Sequence, residues 1–261
     1  MDIEIFKRKN NRMTVFWIIL IAITLLSAKI TDFNFLHGMQ TLPKAFSWMF
    51  SNLYITAESL EKMPSIMDKL IETIFLSITA TTTASILALL LALMGSHTTK
   101  VNNFFGSLSR IIASIYRNIP IVAWALILLL SFGQNALTGY FALSLATFGF
   151  LTRAFIETID ETSSSSVEAL RATGATYFQV VAKAVIPECF PQMISWVLYM
   201  IETNIRSSTL VGILTGTGIG FAFDLYYKSM NYNVVSLITI SIVVVVIGIE
   251  LVSNYVRRVI L

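Results

Sequence analysis

The sequence predicts an all-α integral membrane protein with about six membrane-spanning helices. Three observations carry that expectation. Of 261 residues, 56% are hydrophobic and only 13% charged, at a mean hydropathy of +0.75, more apolar surface than a soluble chain could hide in one core. The apolar residues come in long runs rather than ten-residue alternations, which favours helices over a barrel, since either must satisfy its backbone internally in lipid. Between the runs lies one well-formed polar segment, Glu168-Ala169-Leu170-Arg171-Ala172-Thr173-Gly174, followed by a mostly apolar stretch to Ile186-Pro187.

About 20 apolar residues cross roughly 30 Å of hydrocarbon at a rise of about 1.5 Å per residue. By that measure the first span falls at 15–28, behind Lys7, Arg8, Lys9 and Arg12. No small-x-small cleavage site follows, so an uncleaved span is expected rather than a signal peptide. Residues 31–69 carry Pro43, Pro64, Trp48, Met49 and Phe50 among polar residues, as expected of an external segment lying partly on the interface. The second span, 71–94, contains Thr79-Ala80-Thr81-Thr82-Thr83-Ala84-Ser85, small residues that let helices approach closely. The third, 119–132, is short and borrows length from 111–116, with Pro120 tolerated in a first turn and Arg117 as a headgroup anchor. The fourth covers 137–156.

Asp160-Glu161-Thr162 and the serines 163–166 then break the helix. Ser165 and Glu168 have the spacing of a capping box, in which each side chain satisfies the other's free amide. The new helix is expected to end at Gly174, which enters the left-handed conformation at little cost. A second short helix over 175–184 presents Tyr177, Phe178, Val180 and Val181 and stops at Pro187. Small residues Ala169, Ala172 and Ala175 leave room for a partner. The fifth span, 193–213, contains Glu202, Asn204 and Arg206; Gly212, Gly216, Gly218 and Gly220 follow, and the sixth span is 234–255. The expected organisation is an appended helix and external segment, 1–68, and a transmembrane domain, 69–258, bearing a polar element at 160–188.

With the N-terminus inside, twelve of the 18 Lys and Arg residues fall on the cytoplasmic side and six outside or within the membrane. The excess places both termini and the Glu168 to Pro187 element in the cytoplasm. The net charge of +3 therefore reflects orientation, and no nucleic-acid partner is expected. His37 and His97 fall on opposite sides, which excludes a shared metal site, and the lone Cys189 reads as an inert small hydrophobe. The chain has no phosphate-binding loop, His-Glu-x-x-His helix or Cys-x-x-Cys pair, and Gly216-Thr217-Gly218-Ile219-Gly220 fails the dinucleotide fingerprint at Phe221. No catalytic residue and no cofactor bound by the chain are expected.

Glu202 and Arg206, four apart on a helix, are neighbours, and charges at membrane depth normally face a bundle interior. Two readings stand: with Asn204, Arg206 lines a solute passage and offers paired donors to oxygens, or Glu202 and Arg206 lock two helices together. The four glycines read as tight turns at a gate rather than a phosphate cradle.

The polar segment resembles the signature of the membrane-spanning permease subunits of bacterial ATP-binding-cassette importers, Glu-Ala-Ala, three residues, Gly, nine residues, then Ile-x-Leu-Pro. Here Glu168-Ala169-Leu170 is followed at that spacing by Gly174 and by Ala184-Val185-Ile186-Pro187, with Leu170, Ala184 and Ile186 departing from the pattern. The resemblance covers roughly 69–258 and implies the type I importer permease fold in a bacterial inner membrane. It also implies that Glu168, Ala169, Leu170, Gly174, Ile186 and Pro187 form a coupling element docking into a cytoplasmic ATPase pair, where ATP and Mg would bind. Further implied partners are a second permease copy or homologue, an external solute-binding protein and membrane lipid. Glu202-x-Asn204-x-Arg206-Ser207-Ser208-Thr209, Gly212, the glycine run, Arg117-x-x-Pro120 and Trp124 look most like the phosphonate permeases, although Thr217 stands where relatives carry glycine. That resemblance implies import of a phosphonate or related phosphorus oxyanion. A permease for methionine or another small solute is the alternative. An ion-coupled secondary transporter, which needs more mid-membrane carboxylates than Glu202, and a sensor subunit without transport are the more distant readings.

Overall fold

The computed structural model describes residues 2–260, with side chains from Arg12 onward. Lys7, Arg8 and Lys9, counted toward the basic excess, therefore have side chains outside the described residues. The chain divides at Asn52 and Leu53 into two compact units. The first consists of α1 (Asp2–Ile30) and α2 (Phe35–Asn52), joined through a turn with Asp32 at φ 51°.

The second unit contains the remaining helices: α3 (Ala57–Leu60), α4 (Met63–Gly95), α5 (Asn103–Asn118), α6 (Ile121–Phe132), α7 (Ala136–Thr162), α8 (Ser164–Ala172), α9 (Tyr177–Val180), α10 (Ile186–Thr215), α11 (Gly218–Lys228) and α12 (Tyr232–Ile260). A single π turn, Val181–Val185, joins α9 to α10. This unit begins sixteen residues ahead of the boundary expected at 69. Ser59 and Ile66 explain the difference, because they are 2% and 1% exposed and so belong to the bundle rather than to an external linker.

Among the described residues, five helices are long and apolar enough to cross a membrane, or six when α5 and α6 count as one broken span. The third expected span is thus not a straight helix: α5 and α6 meet at 90°. Pro120 is the cause. It lacks an amide hydrogen and excludes the preceding residue from helical angles, and Ile119 is accordingly extended at φ −86°, ψ 119°. Tyr116 and Trp124 stack across the bend with ring centroids 5.2 Å apart.

The central contact joins α4 to α7. Ala80, Ala84, Ala88 and Ala92, each no more than 1% exposed, form a ridge of small residues at four-residue spacing, flanked by buried Ser77 and Thr81. The threonine-rich stretch is therefore the packing face that its composition predicts, and each buried hydroxyl is satisfied on its own helix, as in Thr81 Oγ1 donating to the Ser77 carbonyl at 2.8 Å. α5 approaches α7 so closely at Gly149 that a Cβ there would enter the backbone of Tyr116 and Arg117. Gly149→Val is expected to cost about 1–3 kcal/mol through overpacking, read as a lower midpoint of thermal unfolding in detergent. Gly248→Val, where nothing lies within 4 Å, is the control and is expected to leave the midpoint in place.

Candidate functional site

The polar segment folds into an elbow. α8 runs Ser164–Ala172, and Gly174 follows at φ 82°. The Gly174 amide donates to the Arg171 carbonyl at 3.0 Å and the Ala175 amide to the Leu170 carbonyl at 3.2 Å, closing the helix end as its glycine predicts. The start differs from expectation. Ser163 rather than Ser165 is the first flanking residue, and its hydroxyl donates back to the Ile159 carbonyl at 2.8 Å, so the Ser165 and Glu168 capping box does not form. Capping falls instead to the second short helix, where Gln179 Oε1 accepts from the Thr176 amide at 2.8 Å.

Pro187 does not stop that second helix. It occupies the first turn of α10, and a continuous helical stretch runs from Tyr177 to Thr215. A proline interior to a helix leaves the carbonyl four residues back without its donor. The π turn at Val181–Val185 accommodates this by shifting the pairing, with the Ile186 amide bonded to the Val181 carbonyl five residues earlier. Sequence periodicity does not show such a local re-pairing.

One face of the elbow is nailed down. Val167, Val180, Val185 and Cys189, all 2% exposed or less, join Ala88, Ala92, Phe155 and Ile159 in a single apolar cluster. Cys189 Sγ lies 3.0 Å from Thr162 Oγ1, so the thiol is a packed side chain. Polar ties brace it further: Arg171 Nη2 donates to the Thr98 carbonyl at 2.9 Å, and Ser166 bonds Glu188. Asp160 gathers the turn after α4, accepting from Ser96 Oγ at 2.5 Å, the Thr98 amide at 3.0 Å and the His97 amide at 3.2 Å. The other face is open. Glu168, Ala169, Gly174, Ile186 and Pro187 are exposed and Leu170 is half-buried. Phe178 stands 80% exposed beside the Gly174 turn. Phe178 thus leaves an aromatic ring bare on the open side of the braced elbow, two residues before the buried Val180.

Glu202 and Arg206 come together as their spacing requires, Arg206 Nη2 lying 2.8 Å from Glu202 Oε1. A third member, unnoticed in sequence, is Arg257: its Nη2 is 3.8 Å from Glu202 Oε2. Helical side chains lean toward their own N-terminus, so Arg257 on α12 reaches back to Glu202 on the antiparallel α10. Asn204 points elsewhere. Its Nδ2 donates to Thr81 Oγ1 at 2.8 Å and to Thr147 Oγ1 at 2.7 Å, tying α10 to α4 and α7 at a site only 2% exposed.

The glycines make the sharp joint between α10 and α11. Gly216 and Gly218 have φ 71° and 58°, while Gly212 and Gly220 pack against each other where a Cβ would strike backbone. Thr217 between them is extended at φ −132°, ψ 158°, a conformation open to any residue, so a glycine is not required there. Its hydroxyl is 2.9 Å from Thr215 Oγ1. From α4, Glu72 Oε1 accepts from the Gly218 amide at 3.2 Å and Thr73 Oγ1 from the Ile219 amide at 2.8 Å, satisfying the start of α11.

In the second unit, four long apolar helices and the bent α5–α6 pair, with one braced polar elbow and a glycine joint, define a permease of the type I importer class. Residues 84–260 match the family described as binding-protein-dependent transport system inner membrane component, and the chain belongs to that family. It is thus a multi-pass membrane transport subunit rather than an enzyme. Over 189 residues it is 31% identical to a phosphite transport system permease of Stutzerimonas stutzeri, covering 72% of this chain and 69% of that one. Over 191 residues it is 30% identical to a phosphate-import permease of Mycolicibacterium smegmatis, covering 73% of this chain but only 36% of that longer protein. The fold matches the inward-facing methionine transporter MetNI at a TM-score of 0.69 and 19% identity, over 77% of this chain and 98% of that one.

Proposed function

We propose that this chain is the permease of an ATP-driven importer for a phosphorus oxyanion, a phosphonate, phosphite or phosphate. The observation that carries the solute class is the 31% identity to a phosphite permease over 189 residues, 72% of this chain. An external binding protein delivers the solute, two permease subunits enclose the passage, and two cytoplasmic ATPases close on ATP and pull the elbows together. Both termini and the elbow lie in the cytoplasm, in keeping with the basic excess.

Glu168, Ala169, Leu170, Gly174, Ile186 and Pro187 form the docking element, with Phe178 as its apolar anchor. This element does work only by binding the open and closed ATPase pair differently, because a contact equal in both states shifts no equilibrium. Gly212, Gly216, Gly218 and Gly220 are the gate joint. Arg206, with its side chain 51% exposed, flanks the passage near that joint, paired with Glu202. Asn204 spends both amide hydrogens on threonines, so its part is to hold the three helices around the passage.

Methionine is the second reading, favoured by 27% identity over 169 residues to a methionine import permease of Bacillus subtilis. Calorimetric titration of the cognate external binding protein with methylphosphonate, phosphite, phosphate and methionine separates them. Affinity for a phosphorus oxyanion and none for methionine is the expected outcome; the reverse would retire the oxyanion reading.

A further inference from the structure

Arg117 and Arg153, distant in sequence, share one small cavity of about 320 Å³ whose only other lining residues are Ser114 and Asn118. No apolar side chain lines it, although it lies between α5 and α7 of an apolar bundle. Arg153 is nine residues from the Thr162 end of α7, about 14 Å along the helix. Arg117 sits at the last turn of α5, against the 90° break at Pro120. Its backbone is fixed by the contact with Gly149.

The charges are only partly spent. Arg153 Nε bonds Glu157 Oε1 at 2.6 Å, which engages one edge of that guanidinium. No carboxylate lines the cavity itself, and the two guanidiniums outnumber the one acid beside them. Asn118 Nδ2 donates to the Ser114 carbonyl at 2.7 Å, which holds those two residues together at the cavity wall. A cationic, polar, half-open cavity whose Ser114, Arg117 and Asn118 are exposed is too costly to face hydrocarbon, so it faces a protein partner, the headgroup layer or an aqueous route. Guanidiniums offer planar forks of donors that match the oxygens of a tetrahedral anion.

We infer that Arg117 and Arg153, with Ser114 and Asn118, form an oxyanion station on the transport route, taking a tetrahedral phosphorus oxyanion in passage. The inference rests on the solute class proposed above. The same chemistry would fit the phosphate of a lipid headgroup, and the experiment separates the two sources.

The test uses the full assembly of permeases, ATPases and external binding protein in vesicles, with labelled phosphite, methylphosphonate and methionine as solutes. For Arg117→Gln, oxyanion uptake is expected to fall about tenfold or more, and for Arg117→Lys by less, since charge is kept and the fork is lost. Gel filtration verifies assembly; should Arg117→Gln fail to assemble, Arg117→Lys is read alone, and uptake equal to wild type overturns the station. Oxyanion uptake by wild type that Arg117→Gln leaves intact overturns the station while leaving the function standing. Uptake of methionine alone overturns both. A defect seen only in vesicles containing phosphatidylglycerol, and absent from pure phosphatidylcholine, assigns the cavity to a headgroup and also overturns it.

Discussion

Gly174→Pro is expected to uncouple the importer: the ATPase pair no longer co-purifies with the permease, and solute-stimulated ATP hydrolysis falls below about a tenth of wild type. The reason is local. Gly174 holds φ 82°, whereas proline is fixed near −65°, and its amide hydrogen, which bonds the Arg171 carbonyl at 3.0 Å, would be lost. The chain must then leave α8 in another direction, carrying Phe178 away from Glu168 and Ala169. Gly174→Ala is the graded partner, costing about 1–2 kcal/mol for a left-handed non-glycine residue while nothing within 4 Å obstructs its methyl group. Partial coupling in Gly174→Ala and none in Gly174→Pro is the expected series. Full coupling in the proline variant would remove the elbow from the ATPase interface.

Glu202→Ala carries the second large effect, this time on stability. Its side chain is 10% exposed and lies between two guanidiniums, so removing it strands Arg257, whose Nε and Nη2 are buried with no hydrogen-bond partner in the described residues. Breaking a buried pair from one side costs about 3–5 kcal/mol, because an uncompensated charge stays behind. For a unit of this size that amounts to a midpoint of thermal unfolding lower by about 10 °C. Glu202→Met combined with Arg257→Met is expected to recover most of the loss. Arg206→Met should cost little, since that side chain is 51% exposed, even though its bond to Glu202 is the shorter at 2.8 Å. A double variant as unstable as Glu202→Ala would place the value of Glu202 in some other contact.

The features legible in the sequence are those decided locally. Gly174 announces its turn because only backbone freedom is at stake, and the threonine and alanine run at 79–85 announces a packing face because size alone decides it. Features that depend on distant chain segments stayed hidden. At Ser163 the competition was local instead: its hydroxyl turns back to the Ile159 carbonyl four residues earlier, and the helix starts without the box that Ser165 and Glu168 advertise. Arg257 reads as one more cation near a helix end, since nothing local says that α12 runs beside Glu202. Nothing local to Arg117 says that Arg153, on another helix, lines the same cavity. Asp160 was legible as part of the polar stretch in which α7 ends, but not as the carboxylate that organises the Ser96 to Thr98 turn.

The π turn has one mechanical consequence. By keeping the helix unbroken past Pro187, it joins the second arm of the elbow to the span beyond in one continuous helix of 39 residues, Tyr177–Thr215. The two ends of that helix therefore share one hydrogen-bonded backbone, which closes at Thr215 where Gly216 turns the chain at φ 71°.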